Sequence, residues 1–203
     1  KDHVATDSVR AAVETSLEAF RDMGCIVSEI TLPPLIEFAA VNMVIMSCEA
    51  YSIHQKHLIE TPELYGEICR DRVMLGSLLS GSDYVNAQKR RRELCAEVAA
   101  AMAGVDVLVT AASPFPAQKL GDVPKWLMYD KPSITSPFNV TGLPALATCS
   151  GFDAAGMPLS IQIVGKPFAD AIVLALGDAY EVATNSRSQR PAIATGWEKA
   201  AAA

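Results

Sequence analysis

Three groups of residues carry side chains of the kind that do chemistry. "LSGSDY" at 79–84 sets Ser80 and Ser82 around Gly81. Paired hydroxyls beside a glycine suit nucleophilic acyl transfer if a base lies within hydrogen-bond reach. No strained strand–turn–helix pattern surrounds them, so a helix break and N-cap fits better than a nucleophile. His54, His57 and Glu60 recur every three residues and can share one helix face. Two imidazoles and a carboxylate can hold zinc. Histidines at the solvated end of a buried helix need no such role, and no metal is expected. Cys149 ends an apolar run, where a buried, inert thiol is the simpler reading than an accessible one.

Across the whole chain, 203 residues of which 50% are apolar and 20% charged are enough to bury one core. The basic cluster "QKRRREL" at 88–94 sits inside a helical pattern in a chain of net charge −6, which reads as a solvated helix face and not as a nucleic-acid footprint. Five cysteines at 25, 48, 69, 95 and 149, without any CxxC, point to reduced thiols and a cytoplasmic setting. No apolar run approaches the roughly 20 residues of a membrane helix. The chain starts "KDHVATDSV" and ends "WEKAAAA", and a piece of a longer protein is expected.

Helices and strands must position any site. "TDSVRAAVETSLEAFRDMG" is amphipathic, with Thr6 or Asp7 as cap and Gly24 as stop. "CIVSEITLPP" reads as a strand. Residues 35–58 predict a helix apolar nearly all round in its first half, a third helix covers 63–79, and a fourth runs from a cap at Ser82 to about Ala103. "VDVLVTA" has the continuous apolar character of a central strand. Residues 113–137 hold prolines at 114, 116, 124, 132 and 137 and read as an irregular, functional connector. "PALATCSGF" and "PLSIQIVG" are two core strands joined by the turn "DAAGM", fed by a loop that Gly142 and Pro144 specify. A last helix, "DAIVLALGDAYEVAT", has Ile172, Leu176, Ala179 and Ala183 on one face. One α/β unit over 1–203 is the economical organisation.

"TSPFNVTGLPALATCSGFDAAGMPLSIQIVGKPFADAIVLALGDAYE" resembles the C-terminal hallmark of the amidase signature family. "SVRAAVETSLEAFRDMGCIVSEITLP", "EAYSIHQKHL", "PELYGEICRDRVMLGSLLSGSDYVNAQKRRREL" and "VDVLVTAASPFPA" resemble other parts of the family in the same order. The resemblance implies an α/β/α sandwich with a mixed central sheet flanked by helices, and a helical insertion over about 35–103. It also implies amide hydrolysis by a Ser–Ser–Lys triad without a cofactor. The family carries that triad N-terminal to the matched region, so no catalytic residue is expected in this chain and the chain alone should be inactive.

What remains, by resemblance, is one wall of the pocket for a small amide. Ser133, Ile134 and Thr135 are the candidate contacts, with Trp126 and Tyr129 from the connector; loop anchoring fits the two aromatics equally well. Asn139, Gly142, Pro144 and Gln162 form the loop and strand beside it. A side-chain amide satisfying loop backbone is the stronger reading for Asn139, and Gln162 suits a neighbouring segment as well as a ligand. Family amidotransferases that use glutamine for misacylated tRNA carry an acid before the Asn-x-x-Gly-Leu-Pro segment. Here the loop is "DKPSITSPFN", with Asp130 the closest acid and proline near the expected position, which disfavours that activity. The partners expected are the missing N-terminal half or a second copy, as in a homodimer, with no nucleic acid and no membrane. A non-catalytic, partner-binding fragment is the alternative.

Overall fold

Thr6 opens the first helix: its Oγ1 accepts the Val9 N–H at 3.5 Å, satisfying one of the donors left free at a helix start. The computed structural model describes residues 5–190. Helix α1 (Asp7–Asp22) buries Val9, Ala12, Ser16 and Phe20, the stripe expected of an amphipathic helix. Gly24, at φ +90°, then reverses the chain. Residues 25–34 form neither helix nor strand, contrary to the sequence expectation. Of their backbone N–H groups only that of Cys25 has a backbone partner among the described residues, Phe20 O at 3.0 Å. Alternating apolar residues favour a pleated surface, but a strand also needs a neighbour to ladder with.

The helical layer is α2 (Leu35–Glu60), α3 (Glu67–Met74) and α4 (Gly81–Ala101). The third helix does not run continuously over 63–79. Pro62, Gly66 and Gly76 interrupt it, leaving 3₁₀ turns at Pro62–Leu64 and Leu75–Leu78. The cap of α4 is Ser80, not Ser82: Ser80 Oγ accepts the Asp83 N–H at 3.2 Å, while Asp83 accepts the Ser80 N–H at 2.8 Å. By length and composition α2 is apolar enough to cross a membrane, which corrects the expectation that no run reaches that size. Its Phe38 and Val41 pack with Leu94, Val98 and Met102 of the fourth helical segment and with Val140.

Strands β1 (Val107–Ala111), β2 (Ala145–Phe152) and β3 (Pro158–Gly165) form an antiparallel sheet in the order β1-β3-β2. Gln162 stands opposite Thr110 on one side and Ala147 on the other. The expected hairpin turn forms: Asp153 Oδ1 accepts the N–H groups of Ala155 at 2.9 Å and Met157 at 2.8 Å, and Gly156 takes φ +79°. Two short helices occupy stretches read as irregular, α5 (Leu127–Asp130) and α6 (Ser136–Thr141). Pro137 accounts for the second, since its fixed φ and missing N–H suit a helix's first turn.

Helices α1 and α7 (Asp170–Thr184) cover one face of the sheet through Phe20, Ile161, Ile163, Val173 and Tyr180. Of the face expected for α7 only Leu176 packs against the core. Val173, Gly177 and Tyr180 point inward, while Ile172 is exposed, as are Ala179 and Ala183. Gly177 explains the rotation: a Cβ there would lie 2.2 Å from Leu146 Cδ2, so the helix seats on the sheet through its smallest residue.

Candidate functional site

The connector from β1 to α6 is held at its middle by charge. Lys125 Nζ bonds Glu67 at 2.8 Å and pairs more closely with Asp71, both on α3. The Arg72 guanidinium donates from Nε to Lys125 O at 2.8 Å. Lys125 also lies 5.3 Å from the Trp126 ring centre. Asp71 and Glu67 raise the Lys125 pKa, and Lys125, with Arg70, lowers that of Asp71. Trp126 and Tyr129 meet edge to face at 5.6 Å. Burial raises the Tyr129 phenol, with Arg72 and Ser47 pulling the other way. Tyr129 thus meets both α2, at Ser47, and α3, at Arg72, while Trp126 packs on Tyr129 and Lys125.

Ser133, Ile134 and Thr135 form a separate turn. Ser133 Oγ lies 2.8 Å from Thr135 Oγ1 and accepts the Thr135 N–H at 3.3 Å. Ile134 points into the core with Val9, Ala12, Ala111 and Leu159. Gln162 joins this turn to the sheet: its Nε2 donates to Ala111 O at 2.9 Å and Ile134 O at 3.4 Å.

Gly142 takes φ +71° and caps α6 through its N–H to Phe138 O at 2.8 Å. A Cβ at Gly142 would meet nothing within 4 Å, so the residue serves backbone shape and not close approach. Pro144 O accepts the Gly165 N–H at 2.9 Å as the β2–β3 hairpin opens. Asn139 is exposed, and its side chain makes no hydrogen bond among the described residues, so it does not staple the loop.

The structure therefore brings Ser133, Ile134, Thr135 and Gln162 together and leaves Trp126 and Tyr129 apart from them, at α5. One supporting residue escaped the sequence reading. Arg91, in the cluster read as a solvated face, donates from Nε to Val140 O at 2.7 Å and fixes the end of α6. Its neighbour Arg90 bonds Glu37, Glu93 and Glu97, which hold it firmly cationic. Arginine at helical spacing reads alike whether it faces water or a carbonyl 49 residues away.

The residues suspected of chemistry are otherwise engaged. Ser80 and Ser82 lie 2.8 Å apart inside the α4 cap, beside Asp83, whose pKa the Ser80 hydroxyl and N–H lower. His54 Nδ1 bonds Tyr65 Oη at 2.8 Å, and His57 is exposed. Among the described residues no group of three His, Cys, Asp or Glu side chains is placed to hold a metal. Cys149 is half-buried, with Sγ 3.6 Å from Gly151 O.

A cavity of about 450 Å³ runs along the outer edge of β1, walled by Val9 and Val13 of α1, Ile30 and Leu32, Leu108, and Ile134 with Phe138. Of the expected pocket residues only Ile134 lines it.

The family model described as amidase matches residues 1–174. An amidase from Pseudomonas putida is 32% identical over 191 residues, covering 90% of this chain and 41% of the relative. A glutamyl-tRNA(Gln) amidotransferase polypeptide from Lysinibacillus sphaericus is 31% identical, with 95% of this chain and 44% of the relative covered. Among solved structures, a crystal structure of an amidase superposes with a TM-score of 0.77 at 31% identity, covering 87% of this chain and 42% of that one. The chain thus spans less than half the length of these relatives. The match over residues 1–174, the Gly-Leu-Pro segment leading into the β2–β3 hairpin and the shared fold agree: this chain belongs to the amidase family, the amidase signature enzymes.

Proposed function

We propose that this chain is the C-terminal part of an amide hydrolase. It forms one wall of the pocket for a small amide, and a Ser–Ser–Lys triad comes from the part of the family chain it does not span. The observation that carries this reading is the coverage: about nine-tenths of this chain aligns with only 41% of the Pseudomonas putida amidase. Amide hydrolysis of this kind needs a lysine able to accept a proton and a serine beside it. Lys125, the one lysine with a resolved shift among the described residues, is pushed the wrong way by Asp71 and Glu67. The Ser80–Ser82 pair faces a carboxylate. The described residues therefore suit shaping a cavity better than cleaving a bond.

Ser133 and Thr135, with hydroxyls at the surface of a turn that Gln162 holds, are the contacts we assign to substrate. Trp126 and Tyr129 act at one remove, by fixing the connector. Free cysteines at all five positions support a reducing compartment, the cytoplasm.

The test is ammonia release from a panel of amides by the 203-residue chain, then by the chain fused to the N-terminal portion of the Pseudomonas putida amidase. Turnover by the chain alone would end the proposal. A second reading, part of a glutamine-dependent amidotransferase, has support from the Lysinibacillus sphaericus relative and predicts glutaminase activity in the longer protein. The loop "DKPSITSPFN", with Asp130 its closest acid and a proline near the position where those enzymes are expected to carry one, disfavours it.

A further inference from the structure

We propose that Arg91, on α4, is a positioning residue for substrate: it holds α6 at its far end and so sets the Ser133–Thr135 turn. The inference rests on the reading of that turn as part of the pocket wall, and it brings the helical layer into substrate binding.

Arg91 differs from its neighbour in what it bonds. Its Nε donates to Val140 O at 2.7 Å, and no carboxylate pairs with it among the described residues. Arg90 takes three carboxylates, those of Glu37, Glu93 and Glu97. One guanidinium thus ties charges on the helical layer together, while the next reaches a neutral carbonyl 49 residues away. A charged donor makes such a bond about twice as strong as a neutral pair. Val140 is 3% exposed, so water is a poor substitute for the lost donor. Cys95 Sγ, one turn along α4, lies 3.9 Å from the same oxygen and adds only a weak donor.

Helix α6 and the turn form one hydrogen-bonded piece. The Gly142 N–H donates to Phe138 O at 2.8 Å, and Thr141 Oγ1 to Pro137 O at 2.8 Å. At the other end the Asn139 N–H donates to Thr135 O at 3.2 Å, and the Ser136 N–H to Ser133 O at 3.2 Å. This piece is tied to the sheet by Gln162, through Ile134 O, and to α4 by Arg91, through Val140 O. Two ties at opposite ends fix where a short rod lies, and cutting either lets it swing. An arginine stays charged at any working pH, so the tie at α4 does not titrate.

The test compares Arg91→Met with Arg90→Met, in the 203-residue chain alone and in its fusion to the N-terminal portion of the Pseudomonas putida amidase. In the chain alone, Arg91→Met should speed amide hydrogen exchange at Ser136 and Asn139 about tenfold, and Arg90→Met by less than about twofold. In the fusion, Arg91→Met should raise KM about fivefold with kcat within about twofold, equally at about pH 6 and about pH 8. Gln162→Leu frees the same rod, so the double variant's KM should fall about threefold short of the product of the single effects. Equal effects of Arg90→Met and Arg91→Met would overturn the proposal, because general loosening of the helical layer would explain both. Faster exchange confined to Gly142 would overturn it too, since the disturbance would stop at the end of α6. So would a fall in kcat at constant KM, or KM effects that simply multiply. Should Arg91→Met fail to fold, Arg91→Lys should show the same pattern at about threefold in exchange, because an ammonium fits the site less well. If the unsubstituted fusion releases no ammonia, the amidase reading fails there, and the exchange rates in the chain alone still decide whether Arg91 sets the turn.

Discussion

Gln162 shows how one polar side chain can organise a wall. It is almost fully buried on the central strand, and its amide reaches the carbonyls of Ala111 and Ile134. Buried carbonyls stripped of their donor cost about 1–3 kcal/mol. Gln162→Leu keeps the volume but removes the donor, so it should lower stability by about 2 kcal/mol, read as a shifted urea midpoint at constant slope. In the longer enzyme it should also raise KM more than it lowers kcat, because the Ser133–Thr135 turn loosens. An unchanged midpoint would mean that other groups satisfy those carbonyls. Alternation along the strand already turns Gln162 away from Ile161 and Ile163. Its partner stayed open at that level, because a glutamine's partner is set by which loop folds over it.

Two glycines separate elements that can yield from elements that cannot. At Gly76 an added Cβ would lie 2.2 Å from Ser47 O, a backbone atom within α2, whereas at Gly177 it would lie 2.2 Å from Leu146 Cδ2, the tip of a side chain that can turn. Overpacking costs about 1–3 kcal/mol, with rigid neighbours at the upper end. Gly76→Ala should therefore destabilise more than Gly177→Ala in thermal melts, and the reverse order would contradict this packing. The Lys125 clamp belongs to the same scale. Asp71 has its pKa lowered below 3.8, so its contribution is present above that pH and lost as pH falls through the lower folded value; Lys125 is raised above 10.5, so its contribution is lost only as pH climbs past that value. Trp126 emission should thus hold steady from about pH 5 to about pH 9 and shift below about pH 4, and Lys125→Met should remove that acid step. A shift near neutrality would point to another group. The hairpin, α1 and α4 were legible because turn residues, caps and apolar spacing act locally. The breaks around α3, the helix at Ser136–Thr141 and the rotation of α7 were not, because proline placement and a Gly–Leu contact across the core decide them.

At the scale of the whole molecule, the absent strand at 25–34 is the informative failure of the sequence reading. Those residues carry the right pattern, but among the described residues no neighbouring strand completes the ladder. The layers, the family and the hairpin could be read from the chain; the groove could not, since it is a property of what lies beside β1. Apolar side chains are also left in water: Ile26, Phe168, Ile172, Leu174 and Val182 are exposed, three of them on the outer face of α7. Scattered exposed apolar residues are ordinary, but a helix face that gathers several invites contact. The isolated chain should therefore associate weakly across micromolar concentrations in light scattering, through these side-chain faces. Leu174→Lys together with Val182→Lys should suppress that association without moving the thermal midpoint by more than about 2 °C, because neither residue packs in the core. A clean monomer at every concentration would show that these faces are tolerable as they stand, and would remove the main physical reason to expect a partner on α7.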